Sequence, residues 1–166
     1  IMYEFEKKER SKLEIITPCL NEGKNIDTFV NKFKKLLESK NITDYLITIV
    51  DDGSNLETRK IYQKYSTNKD TRIIELSRNY GHQTAILAGL EHSVGDYLIV
   101  VDIDLQDPPD IALELYEKCL YENLDLVKGV RKNRSGETKF KVFTAFLFYK
   151  MLSSISDDQS ISSKSS

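Results

Sequence analysis

Apolar and polar positions along this chain follow two alternating periods. Residues 13–17 (LEIIT) form a β-branched run that Pro18 ends. Residues 25–39 carry Ile26, Phe29, Val30, Phe33, Leu36 and Leu37 at the i, i+3, i+4, i+7 spacing of an amphipathic helix. Residues 45–50 (YLITIV) are continuously apolar, as in a strand buried on both faces. Residues 56–66 read as helix, 71–76 (TRIIEL) as a third strand, 83–92 as a short helix and 96–101 (DYLIVV) as a fourth strand. Pro108 and Pro109 open another helix, since proline is tolerated in a first turn, and Leu124–Gly129 reads as a fifth strand. Strands alternating with helices predict an α/β fold, a three-layer α/β/α arrangement around a mostly parallel central sheet.

The two ends differ from this pattern. Residues 1–12 are charged and aperiodic and are expected to form a loose leader. Residues 153–166 are dominated by serine, cannot build a core and are expected to be a flexible tail. Residues 131–139 (RKNRSGETK) read as a basic loop. Residues 140–152 are apolar almost all round: either a buried helix or one lying in a membrane interface, with Lys139, Lys141 and Lys150 near headgroups.

Composition narrows the classes. At 166 residues the length fits one domain, and 40% hydrophobic with 30% charged residues excludes a disordered or fibrous chain. A net charge of −2, from 24 basic and 26 acidic residues, argues against nucleic acid as a partner. Cys19 and Cys119 form no CxxC, so neither a zinc site nor a disulfide framework is expected, and a reducing cytosolic setting fits. No apolar run reaches the roughly 20 residues a membrane span requires, and the beginning does not read as a signal peptide.

Candidate chemistry gathers where strands end, which is where open α/β sheets bind ligands. The first strand runs into PCLNE (18–22), the second into DDGS (51–54), the third into SRNYGHQ (77–83) and the fourth into DIDLQD (102–107). In Asp102-x-Asp104-x-Gln106, alternate side chains leaving a strand can converge on one ion. Such hard oxygen donors suit Mg²⁺ or Mn²⁺, with a diphosphate completing the shell. The plainer alternative is a solvated acidic turn with Asp107 capping the next helix. Asp51 and Asp52 repel each other unless donors satisfy them, and a nucleobase N–H or ribose hydroxyl would serve. Alternatively Asp52 bonds its own backbone in a tight Asp-Gly turn. Asn21 and Glu22 are equally consistent with a helix cap. Arg78 could pair with a phosphate beside Gly81 at a helix N-terminus, whereas His82 reads first as a structural histidine. No GxGxxG, no GxxxxGK[ST] and no nucleophile elbow is present.

The series PCLNE, VDDGS, SRNYGHQTAILAGLEHSVGD, VVDIDLQDPPD and VKGVRKNRSGE resembles the family 2 glycosyltransferases over about residues 13–157. Within them it is similar to dolichol-phosphate mannose synthases and bactoprenol glucosyltransferases. The resemblance implies the A-type glycosyltransferase fold, with a catalytic domain over residues 13–152. It also implies a nucleotide-diphosphate sugar donor of the UDP-glucose or GDP-mannose type, Mg²⁺ or Mn²⁺, and inversion at the anomeric carbon. Carried over by position, Pro18, Leu20, Glu22, Ile49, Asp51, Asp102, Ile103, Asp104 and Arg131 would bind the nucleotide sugar. Asp102, Asp104 and Gln106 would hold the metal, Asp104 and Arg131 would be catalytic, and Arg134 and Ser135 would meet the acceptor.

The acceptor implied is a polyprenyl phosphate at the cytoplasmic, inner face of the cell membrane. A saccharide acceptor in capsule or cell-wall synthesis is an alternative, as is a non-catalytic nucleotide-sugar-binding module. Relatives continue beyond the point matching residue 166 into a further acidic motif at the acceptor site, and many carry membrane helices there. Loss of that cover over residues 140–152 predicts self-association into a homo-oligomer.

Overall fold

A computed structural model of the chain describes residues 12–129. Within them lie β1 (Leu13–Cys19), α1 (Gly23–Ser39), β2 (Tyr45–Asp51), α2 (Leu56–Tyr62), β3 (Thr71–Glu75), α3 (His82–Glu91), β4 (Tyr97–Val100) and α4 (Pro109–Glu122). A 3-10 turn, Gln63–Tyr65, extends α2. The strands form one sheet in the order β3-β2-β1-β4, every pair parallel, with Leu13 opposite both Tyr45 and Tyr97.

The two faces of the sheet bury different residues. Leu13, Ile15, Ile47, Ile49 and Ile99 pack with Ile26, Phe29, Val30, Phe33 and Leu37 of α1 and with Leu113 of α4. Each such side chain taken fully from water contributes about 1.5–3 kcal/mol, so packing rather than local propensity fixes α1. Phe29 and Phe33, one turn apart, bring their rings to 4.8 Å. On the other face Ile16 and Val50 meet Ala85 of α3. Gly89 makes this approach close, since a Cβ there would lie 2.5 Å from Ile16 Cγ2. The three-layer α/β/α arrangement expected from the sequence is the one observed.

Two expectations are corrected. β1 does not end at Pro18 but runs through it to Cys19. The Ile16 carbonyl accepts from Val101 N–H on the β4 side, and residue 18 presents its backbone to that same side, where β4 has already stopped. The missing N–H of Pro18 therefore breaks no ladder bond. Leu124–Gly129 forms no strand. Asn123, left-handed at φ +50°, ends α4, and Leu124 N–H turns back to the Cys119 carbonyl at 3.0 Å. Leu126 beyond it is 84% exposed, and the run pairs with neither edge strand, β3 or β4.

Candidate functional site

Because the strands are parallel, the segments following Cys19, Asp51, Glu75 and Val100 emerge at one end of the sheet. There a cleft of about 220 Å³ is lined by Pro18, Cys19, Leu20, Glu22, Asp52, His82, Asp102, Ile103 and Asp104. β4 ends at Val100, yet the strand-like alternation persists beyond it. Val101 and Ile103 turn inward at 6% and 1% exposure, while Asp102 and Asp104 face out. Leu105, left-handed at φ +59°, ends the alternation. Gln106 donates its backbone N–H to Asp104 Oδ1 at 3.0 Å and is exposed, outside the lining of the cleft.

Asp102 and Asp104 offer the oxygen donors that Mg²⁺ and Mn²⁺ prefer. Among the described residues no three His, Cys, Asp or Glu side chains gather into a metal cage. The residues thus fit an ion that shares its shell with water or with a ligand's oxygens, as Mg²⁺ commonly does.

The β1–α1 segment forms the opposite wall. Leu20 is partly exposed, and Glu22 occupies the N-cap position of α1 without capping it, its Oε2 accepting from Asn25 Nδ2 at 2.7 Å. Cys19 is buried, and burial pushes its thiol pKa up, so it is no ready nucleophile. Asn21, left-handed at φ +57°, receives Asn55 N–H on its Oδ1 at 2.8 Å and gives its own N–H to Ser54 Oγ at 2.9 Å.

The adjacent carboxylates at the end of β2 have opposite surroundings. Asp51 has no exposed surface and accepts from the Tyr62 hydroxyl at 2.8 Å and from Ser54 N–H at 3.2 Å, with Arg59 Nε 3.4 Å away. It, rather than Asp52, bonds the Asp-Gly turn. Asp52 Oδ1 accepts Tyr80 N–H at 2.7 Å and Oδ2 accepts Gly81 N–H at 2.9 Å, and its carboxyl borders the cleft. Ile49, fully buried in the core under α1, is likewise away from the cleft.

His82, the first residue of α3, is half exposed with Nε2 3.5 Å from Asp102 Oδ1. Asp52, Cys19 and His82 are therefore cleft residues beyond the binding positions that the sequence motifs single out. The signal available was their position in the polar runs after strands one to three. Arg131, Arg134 and Ser135 lie outside the described residues, as does the apolar stretch 140–152. A larger hollow of about 950 Å³ beside β3 includes Arg59 and Arg72, but these are engaged by Asp51 and Glu14, and it contains none of the acidic residues of the cleft.

The sequence matches the profile of Glycosyl transferase family 2 over residues 14–163. It is 38% identical over 144 residues to an uncharacterized glycosyltransferase of Bacillus subtilis, covering 86% of this chain and 44% of that protein. It is 35% identical over 150 residues to a prophage bactoprenol glucosyl transferase homolog of Escherichia coli, covering 88% of this chain and 47% of that one. Among solved structures, S. aureus TarS residues 1–349 superpose with a TM-score of 0.55 at 20% identity, covering 76% of this chain and 40% of TarS. A Pyrobaculum calidifontis mannosyltransferase, in complex with GDP-Man and Mn²⁺, gives a TM-score of 0.50 at 19% identity over 63% of this chain and 31% of that one. These superpositions show the A-type glycosyltransferase fold. The chain belongs to glycosyl transferase family 2. It spans less than half the length of the curated relatives it matches.

Proposed function

We propose that this chain carries the donor-binding part of an inverting glycosyltransferase that moves a hexose from a nucleotide-diphosphate sugar to a polyprenyl phosphate. The supporting observation is the convergence of Asp102 and Asp104 with Pro18, Leu20 and Glu22 on one cleft at the carboxyl end of the sheet. Pro18 and Leu20 supply apolar surface for a nucleobase, and Glu22 an acceptor for its N–H or for a ribose hydroxyl. Asp102 and Asp104 would hold Mg²⁺ or Mn²⁺. A cation held there would supply positive charge to balance that of the nucleoside diphosphate. Arg131 would add to that charge, and Arg134 and Ser135 would hold the acceptor phosphate in line. A lipid phosphate is already ionised, so the chain need not provide a strong general base.

The bactoprenol glucosyl transferase relatives favour a polyprenyl phosphate over a saccharide acceptor. The P. calidifontis mannosyltransferase, solved with GDP-Man and Mn²⁺, and TarS, solved with UDP, favour a nucleotide donor, and the former a divalent ion beside it. A lipid acceptor sets the reaction at the inner face of the cell membrane. No helix of the described residues is itself long and apolar enough to cross a membrane. In this reading residues 13–152 are the donor part, residues 1–12 a leader and 153–166 a tail.

Calorimetric titration with UDP-glucose and with GDP-mannose, each with and without Mn²⁺, tests the proposal. Mn²⁺-dependent binding of one donor is expected. A folded protein that binds neither would overturn it. Binding without transfer to a polyprenyl phosphate would favour a non-catalytic module.

A further inference from the structure

We propose that Asp52 is a positioning residue that holds the β3–α3 loop by its backbone and so sets where His82 meets Asp102 in the cleft. The consequence for donor binding rests on the proposed donor-binding role of that cleft; the positioning itself does not.

Asp52 is only 2% exposed, so its carboxylate requires partners, and it finds them on one loop. Its two oxygens take the successive N–H groups of Tyr80 and Gly81, at 2.7 and 2.9 Å, the Gly81 N–H being shared with Asn79 Oδ1 at 2.9 Å. Hydrogen bonds to an ionised acceptor are roughly twice as strong as neutral ones, and a bidentate pair fixes orientation as well as distance. The adjoining Gly53, at φ +77°, lets the two loops touch backbone to backbone, since a Cβ there would lie 2.4 Å from the Arg78 carbonyl carbon. Only one peptide link separates the held Gly81 amide from His82, whose Nε2 lies 3.5 Å from Asp102 Oδ1. On its other side the same β2–α2 turn is tied to the β1–α1 segment through Ser54 and Asn21. Asp52 therefore sits at the centre of a chain of latches that joins three walls of the cleft. Asp51, by contrast, serves the packing of α2 through Tyr62 and Arg59.

Asp52→Asn is the discriminating substitution. It keeps the volume, but the amide has one accepting oxygen, and its NH₂ would face the second N–H donor to donor. The sequence has two histidines, so ring-labelled histidine gives two assignable NMR signals. In Asp52→Asn the His82 signal should move while that of His92, at the far end of α3, stays. Donor affinity should fall about tenfold, the equivalent of one such bond. An unmoved His82 signal in the folded variant overturns the proposal. A moved signal with unchanged donor binding upholds the positioning and overturns the donor reading of the cleft. Should the variant not fold, amide exchange in the unaltered protein decides. Tyr80 belongs to no helix or strand ladder and its N–H is held by Asp52, so it should exchange slowly, and rapid exchange of the Tyr80 N–H would refute the latch.

Discussion

Glu14 and Arg72 meet within the sheet, Arg72 Nη2 donating at 2.7 Å to Glu14 Oε1 of a side chain with no exposed surface. Thr48 Oγ1 donates to the same oxygen, and Oε2 accepts the N–H groups of Val94 and Gly95 at 2.7 and 3.0 Å. A Cβ on Gly95 would lie 2.7 Å from Glu14 Cβ, so the α3–β4 turn closes directly over the carboxylate. Removing the carboxylate leaves the buried Thr48 hydroxyl and the Val94 and Gly95 N–H groups without their acceptor, and a buried donor left unpaired costs about 1–3 kcal/mol. Glu14→Ala should destabilise the fold by that amount in urea unfolding, and a loss below about 1 kcal/mol would contradict this account.

Thr17 is also wholly buried, and its Oγ1 has no hydrogen-bond partner. A buried hydroxyl without a partner costs about 1–3 kcal/mol on mutational scales, and valine has nearly the same shape and suits a strand. Thr17→Val should raise stability by about 1 kcal/mol, read as a higher urea midpoint at unchanged slope.

Asp104→Ala removes one of the two carboxylates, Asp102 and Asp104, that the segment after β4 brings to the cleft. It should abolish the Mn²⁺-dependent part of donor binding, a loss of at least about tenfold, while leaving the melting temperature nearly unchanged because Asp104 is exposed. Equal Mn²⁺ dependence in the variant and the unaltered chain would remove Asp104 from the site.

Stability should fall at both pH extremes, for opposite reasons. Hydrogen bonds from Lys64 and then Tyr65, each at 2.6 Å, hold the Asp27 carboxyl below its ordinary value of 3.8. As acid is added, the unfolded chain takes up this proton first. The stabilisation is thus complete above about pH 4 and is lost as pH falls through the lower folded value. Burial, with Cys19 and Asp51 beside it, pushes the Tyr62 phenol upward. Its contribution is complete below about pH 10 and is lost as pH rises toward the folded value. Urea unfolding across pH should show Asp27→Asn weakening the acid dependence and Tyr62→Phe the alkaline one; unaltered profiles would contradict both assignments.

The helices and strands themselves were largely legible. The α1 stripe places Ile26, Phe29, Val30, Phe33 and Leu37 in the core as its spacing requires, and four apolar runs became the four strands. Leu124–Gly129 was misleading because an apolar run becomes a strand only where an edge accepts it. The acidic strand ends lie together at one end of the sheet, where Asp102 and Asp104 share a cleft with Pro18, Leu20, Glu22 and Ile103. Gln106 lies outside the lining of the cleft because the left-handed turn at Leu105 interrupts the alternation, a backbone event with no glycine to announce it.

The sequence by itself determined the order and kind of the elements, since hydrophobic periodicity follows from burying one helical stripe or both faces of a strand. It also determined that acidic chemistry would collect at one end, because parallel strands share a direction. Tertiary structure alone decided which of two neighbouring carboxylates faces the cleft. A strand buried on both faces, like YLITIV, has no polar alternation to set its phase. Packing Ile47 and Ile49 under α1 carried Asp51 inward with them and left Asp52 to the loop and the cleft.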